Sequence, residues 1–188
     1  MFRRKSSERA HGRASEYATC KDFRQIFSED MAGLHLLAYL LTADQDKAEQ
    51  CFVAGLDDSI HGNPVFKQWA RAWSKRAIIQ NAIKAVAPAK QREVTGEAVA
   101  VELQNGGESP LVSMVMQWVA FERFVFVMSV LEGYSIRECA AMLACTDQDV
   151  IATKSRVLQR LGNGASQAAV SSPGSDFWTA LMARALVA

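Results

Sequence analysis

Cations and aromatic rings concentrate in one part of the chain, and together they could bind nucleic acid. Residues 63–92 contain seven basic residues and no acidic one. Such a run favours a polyanionic partner, because cations neutralise phosphate and exposed rings stack on unpaired bases. Trp69 and Trp73 stand four residues apart on a predicted helix, so they could instead both face a core. The residues predicted to contact DNA in this stretch are Lys67, Trp69, Arg71, Trp73, Lys75, Arg76 and Lys84.

The stretch before it carries the opposite charge. Residues 42–62 contain five acids against one base, Lys47. The net charge of the whole chain is only +1, so the average conceals a segregation of charge along the sequence. An ordinary solvated face mixes both signs, and the segregation therefore points to specialised surfaces. The acids are Asp44, Asp46, Glu49, Asp57 and Asp58.

Two capping signals follow each other closely in the second half of the chain. Ser135 with Glu138, and Thr146 with Asp149, have the spacing of capping boxes, in which each side chain satisfies a backbone N–H near the other. Gly133 can end the preceding helix in the left-handed conformation. Two helices joined by a three-residue turn, with the second helix longer, form the DNA-binding helix-turn-helix. The same geometry also occurs in plain helical bundles, so the pattern leaves both interpretations open.

The second of these helices is expected to run from about residue 147 to residue 161. Its exposed face is expected to include Thr153, while Lys154 falls at the edge of the apolar stripe. Glutamine amides can pair with adenine, and arginines with guanine or phosphate. The residues of this motif that are predicted to contact DNA are Thr146, Gln148, Thr153, Lys154, Arg156 and Arg160.

Catalytic chemistry has little support in the sequence. His11, His35 and His61 have no partner spacing for metal binding or for a catalytic triad. No Gly-rich phosphate loop follows a strand, because the sequence contains no clear strand. Cys139 and Cys145 lie beside apolar residues and are expected to be buried free thiols. We therefore expect no enzyme activity, no metal site and no cofactor.

Apolar residues recur at helical spacing through most of the chain, without sustained period-two alternation. The sequence therefore predicts an all-α protein of two small helical domains. No run is long enough to span a bilayer and no secretory signal is evident, so we expect a cytoplasmic protein without a membrane partner. The predicted divisions are a basic flexible N-terminus (1–18), a helical domain (19–88), a flexible linker (89–109), a helix-turn-helix domain (110–162), and a loose segment with a short C-terminal helix (163–188).

Two boundaries inside the first domain follow from capping rules. Thr42 is a good cap for the helix that follows it, because its hydroxyl can accept an orphan backbone N–H. A third helix is expected from about residue 65 to residue 86. It stops before Pro88, because proline disfavours the helical conformation in the residue that precedes it.

Three sequence segments together resemble a known family. These are LLTADQDKAEQCF at residues 40–52, FKQWARAW at residues 66–73, and FERFVFVMSVLEGYSIRECAAMLACTDQDV at residues 121–150. They are similar to region two and region four of bacterial RNA polymerase sigma factors of the extracytoplasmic-function class. The last segment carries the Glu-Arg, Leu-Glu-Gly, Ser-x-x-Glu and Ala-x-x-Leu elements of region four in order.

The resemblance implies a mechanism and partners. Core RNA polymerase would bind the acidic helix through Asp44, Asp46, Glu49, Asp57 and Asp58. The basic helix would hold the melted strand of promoter DNA near the start site, and the helix-turn-helix would read the minus-thirty-five element. An anti-sigma factor or another regulatory protein could also bind the chain.

The chain departs from the family pattern at four positions. Val53 and Ala54 stand where family members usually carry a polar pair that contacts the polymerase clamp. Gln80 replaces a usually acidic residue of the promoter-reading helix, and Thr153 replaces a common arginine. These departures keep a second hypothesis open: a sigma-like regulator that no longer initiates transcription and acts as a stand-alone DNA-binding or protein-interaction module.

Overall fold

The computed structural model describes residues 16–88 and 110–168, and it describes the side chains of the second range over residues 112–162. All regular elements within these ranges are helices, which confirms the all-α prediction for that part of the chain. The chain divides into two compact units, one ending at Ala87 and the other beginning at Pro88. The predicted linker at 89–109, most of the N-terminal segment and the predicted C-terminal helix lie outside the described residues.

Over residues 16–87, the first unit is a bundle of four α-helices and one 3-10 turn. Its core is apolar and fully buried around Leu34, Leu41, Ile78 and Ile79. A smaller cluster of Phe23, Val65 and Ala70 lies next to Trp73. The elements are α1 (Cys20–Glu29), α2 (Met31–Thr42), α3 (Gln45–His61), the 3-10 turn (Lys67–Trp69) and α4 (Ala70–Val86).

The cap of α3 is Asp44, and the prediction that Thr42 caps this helix is wrong. Ala43 takes the left-handed conformation (φ 53°) and ends α2, so the extended residue before α3 is Asp44. Asp44 Oδ1 accepts a hydrogen bond from the N–H of Lys47 at 3.0 Å. This bond lowers the pKa of the Asp44 carboxyl. Thr42 is buried as the last residue of α2, and its hydroxyl donates to the carbonyl oxygen of Ala38.

The predicted third helix begins later than expected. Phe66 is extended (φ −61°, ψ 142°) and forms an isolated antiparallel bridge with Tyr17. The N–H of Lys67 donates to the carbonyl oxygen of Glu16 at 2.9 Å. Because this bridge holds the chain extended, only a 3-10 turn precedes α4.

The second unit contains the predicted helix-turn-helix. Both capping boxes are present. Thr146 and Asp149 exchange two backbone-to-side-chain bonds of 3.2 Å, and Ser135 and Glu138 exchange bonds of 2.9 and 3.3 Å at the start of α7. Gly133 is left-handed (φ 71°), as predicted. The elements are α5 (Pro110–Met116), α6 (Ala120–Phe126), a π-helical turn (Val127–Leu131), α7 (Ile136–Leu143) and α8 (Asp147–Ala168), which is longer than predicted. No helix within the described ranges is long and apolar enough to cross a membrane.

The four thiols differ in exposure, and none is in a disulfide. Cys51 and Cys139 are buried, whereas Cys20 is exposed; Cys145 is half-buried, so the prediction of burial is only partly met there. Burial raises the pKa of the Cys51 thiol. Burial and the nearby Glu138 carboxylate raise the pKa of Cys139 to about 11. The thiolate is the nucleophile, so both buried thiols should be unreactive in the folded protein.

We expect a thiol reagent at pH 8 to label native Cys20 first, Cys145 more slowly, and Cys51 and Cys139 only after unfolding. Mass spectrometry of peptides taken during the time course measures the four rates. The Cys20→Ser variant should lack the fast phase and keep the others. Fast labelling of Cys139 in native protein would contradict its burial.

Helices α3 and α4 approach closely at Gly55. A Cβ atom there would meet Ile78 Cγ1 at 2.6 Å and the Ile78 backbone nitrogen at 3.2 Å. We expect Gly55→Ala to lower the free energy of unfolding by about 1–3 kcal/mol, because the two helices must separate. Gly162→Ala on α8 is the matched control, since nothing lies within 4 Å of its added Cβ. Denaturant unfolding compares the two, and equal stability would refute the close approach.

Candidate nucleic-acid interface

At the N-terminal end of the basic stretch, nearby carboxylates neutralise the positive charges. Lys67 Nζ lies 3.6 Å from an Asp22 carboxylate oxygen. Arg71 lies between two acids, 3.6 Å from Glu29 and 3.0 Å from Asp30. Acids of α1 and of the residue that follows it therefore neutralise Lys67 and Arg71, the first two predicted DNA-binding cations. These acids are about 40 positions away in sequence, so a charge count over residues 63–92 does not include them.

The other cations lie farther along α4. Arg76 and Lys84 have no ion-pair partner among the described residues, and Lys84 is exposed. Arg76 contributes to a pocket of about 370 Å³ between the end of α3 and α4. The pocket combines an indole, a guanidinium, a carboxylate, an imidazole and two amides, and Gln80, one of the departures from the family pattern, supplies one of the amides. Its lining residues are Asp58, His61, Gly62, Asn63, Trp73, Arg76, Ala77 and Gln80.

The two tryptophans have different environments. Trp73 is half-buried against the Phe23 cluster, which is the core interpretation of the pattern, although it also lines the pocket. Trp69 is 57% exposed, although tryptophan is highly buried on average in folded proteins. Its ring meets the edge of Phe66, and Phe66 stacks on Tyr17 with ring centroids 4.6 Å apart. An aromatic ledge of Tyr17, Phe66 and Trp69 therefore lies at the start of α4, and sequence reasoning missed Tyr17 because it is remote along the chain.

Thr153 is 4% exposed, so its predicted place on the reading face of α8 is wrong. It shares the core-facing side of the helix with Val150, Val157 and Leu161, at successive spacings of three, four and four residues. The exposed side carries neutral residues, including Ile151 at 45% exposure. Thr146 is the capping residue of α8, and Lys154 is half-buried. The exposed, uncharged residues of this side are Gln148, Ile151, Ala152, Ser155 and Gln159.

Both predicted DNA-binding arginines of α8 are bound to one buried acid. Glu122 on α6 is 4% exposed. Its Oε1 accepts a hydrogen bond from Arg156 Nη1 at 3.3 Å, and its Oε2 accepts one from Arg160 Nη1. The two arginine side chains are about half exposed. The sequence analysis did not predict that Glu122 binds these arginines. An acid inside the apolar stretch 114–131 was a signal that its carboxylate is buried and needs a cationic partner.

The acids predicted to bind polymerase fall into three groups. Asp46, Glu49 and Asp57 are exposed at helical spacing along α3, with Val53 between them at 64% exposure. Asp44 is the N-terminal cap of the helix. Asp58 is turned toward α4, where its Oδ2 accepts a hydrogen bond from Asn81 Nδ2 at 2.8 Å. Three of the five acids and Val53 therefore form one outward stripe.

Comparisons of the chain with protein families, with curated proteins and with solved structures found no match. Within residues 16–88 and 110–168, no group of three or more His, Cys, Asp or Glu side chains could hold a metal ion. Any assignment of function therefore depends on the chemistry of the surfaces described above.

Proposed function

We propose that the protein is a sigma-factor-like transcription initiation protein that binds core RNA polymerase and recognises promoter DNA through its helix-turn-helix. The observation that carries the proposal is the geometry of residues 135–168. The left-handed Ala144 and the Thr146–Asp149 capping box separate a short helix, which begins with its own capping box, from a long one, and the long helix exposes amide and hydroxyl side chains. This is the arrangement that places a helix in the major groove. Such a protein would act in the cytoplasm.

The surface of α4 supports a role with single-stranded DNA. The aromatic ledge offers an exposed ring for stacking, and the pocket beside Trp73 and Arg76 offers an indole and a cation together. Base stacking on aromatic side chains tolerates any sequence, while cations follow the phosphates. In the proposed function this surface holds the melted strand near the start site.

The stripe of Asp46, Glu49, Val53 and Asp57 supports docking on the polymerase. Acidic side chains around an exposed aliphatic one form a small apolar contact with a charged rim, as at many protein interfaces. The valine takes the place of a polar residue of the sigma family, so the contact with the clamp would be more apolar than usual.

We expect neutralising the stripe (Asp46→Asn, Glu49→Gln, Asp57→Asn) to weaken capture of core RNA polymerase about tenfold, as three exposed charge pairs of modest strength are lost. Pull-down of purified core enzyme by the full chain measures the effect. The charge-conserving triple variant (Asp46→Glu, Glu49→Asp, Asp57→Glu) is the control and should retain binding. Wild-type capture by the neutral variant would place the docking surface elsewhere.

We expect Trp69→Ala to weaken binding of a single-stranded oligonucleotide by about 1–3 kcal/mol, the usual contribution of one stacked base. Fluorescence anisotropy with the full chain measures the affinity. The control is Leu36→Ala, which removes another exposed apolar side chain (44% exposed) that belongs to α2 and not to the ledge. If both variants bind alike, Trp69 does not stack on DNA.

A second candidate function is a sigma-like regulator that does not initiate transcription. The replacement of the family's polar pair by Val53 and Ala54 favours it, because the polar contact that this pair makes with the clamp in the family is missing here. Such a protein would bind promoter DNA alone, or would occupy a protein partner such as an anti-sigma factor. Transcription from the upstream region of its own gene, with core polymerase and the chain, separates the two functions, since only the first yields a transcript.

A further inference from the structure

We propose that α8 reads an A·T-rich duplex, because its exposed face carries amide and aliphatic side chains while Glu122 holds its two arginines. This inference rests on the proposed function and specifies the DNA sequence class that its helix-turn-helix recognises. It follows from which side chains of α8 are exposed and from what each of them can contact.

The two arginines cannot both leave Glu122 to read bases. Arg156 and Arg160 each donate to a different oxygen of the Glu122 carboxylate, which is 4% exposed. If both moved onto DNA, a buried carboxylate would lose its compensating charge, which is strongly unfavourable. At least one arginine must therefore stay on Glu122, and a bidentate contact with guanine would compete with this ion pair.

The face that remains has a definite chemistry. Gln148 and Gln159 are exposed at its two ends, and a glutamine amide pairs with N6 and N7 of adenine. Ile151, at 45% exposure, and Ala152 lie between them and suit the methyl group of thymine. Ser155 can accept or donate and pairs with any base. Together these side chains favour A·T pairs through the middle of the site.

Apart from the two arginines bound to Glu122, charged side chains near this face are few. Lys154 is half-buried at the edge of the core-facing side, and Asp147 is exposed at the first turn of α8. A carboxylate can accept a hydrogen bond from the N4 amino group of cytosine. Asp147 therefore permits one G·C pair at the outer edge of the element, beyond the A·T positions.

The test is selection of duplexes from a randomised pool by the full chain at low ionic strength, followed by sequencing. The salt concentration is kept low because the charges around α8 nearly balance and phosphate contacts weaken in salt. We expect enrichment of three or four consecutive A·T pairs. Gln148→Ala should lose the preference at one position and about tenfold in affinity for the selected duplex.

Variants of Glu122 and Arg156 show whether the arginines contact bases or only compensate the buried carboxylate. Arg156→Ala should leave the selected sequence unchanged, because Arg160 still compensates Glu122. Glu122→Gln should add guanine to the selected sequence, because it releases both arginines. If Glu122→Gln does not fold, which circular dichroism detects, Arg156→Ala and Gln148→Ala still decide the question.

Selection by the wild-type chain of a guanine inside the A·T positions, lost in Arg156→Ala, would overturn the inference while leaving the proposed function intact. Recovery of no preferred duplex would also overturn it. The proposed function fails separately, if the chain does not capture core RNA polymerase. A·T enrichment without polymerase capture would support the inference and favour the stand-alone regulator.

Discussion

The helix-turn-helix depends on a buried negative charge that must be compensated. Glu122 lies in the apolar interior of its unit, where an unpaired carboxylate would be strongly disfavoured. Arg156 and Arg160 stand one turn apart on α8, so both reach the carboxylate while Val157 and Leu161 enter the core. The ion pairs and the apolar stripe together set the rotation of α8 about its own axis. That rotation decides which of its residues can meet DNA.

Charge compensation also shapes the first unit. The sequence places seven bases in one run, yet Lys67 and Arg71 meet acids contributed by α1 and by the junction with α2. The positive character of α4 is therefore reduced at its start and remains around Arg76 and Lys84. The exposed Trp69 lies at the compensated end, and the pocket begins about one turn farther along, at Trp73 and Arg76. The 3-10 turn and α4 thus offer an exposed ring and a pocket containing a guanidinium in succession, as binding along an extended strand requires.

Local signals were reliable where the interaction itself is local. The capping boxes at Ser135 and Thr146 join residues three apart, and the left-handed Gly133 needs only the absence of a side chain. Thr42 was misassigned because Ala43 adopts a left-handed conformation that residue type does not favour. The start of α4 was misplaced because Tyr17, almost fifty residues earlier, holds Phe66 extended. Both errors come from contacts or conformations that helical periodicity does not encode.

The sequence by itself determined the helical class, the segregation of acids from bases, and the helix-turn-helix with its caps. These properties follow from residue type and from spacing within a few turns of helix. Only the tertiary structure decided that Thr153 is buried, that Asp58 faces α4, and that one buried acid binds both arginines of α8. The physical reason is that burial and charge pairing depend on which elements pack together. The periodicity of a helix shows where its apolar stripe lies but not which residues beside the stripe are buried. In α8 this is decided by the neighbouring helix α6, whose Glu122 binds Arg156 and Arg160.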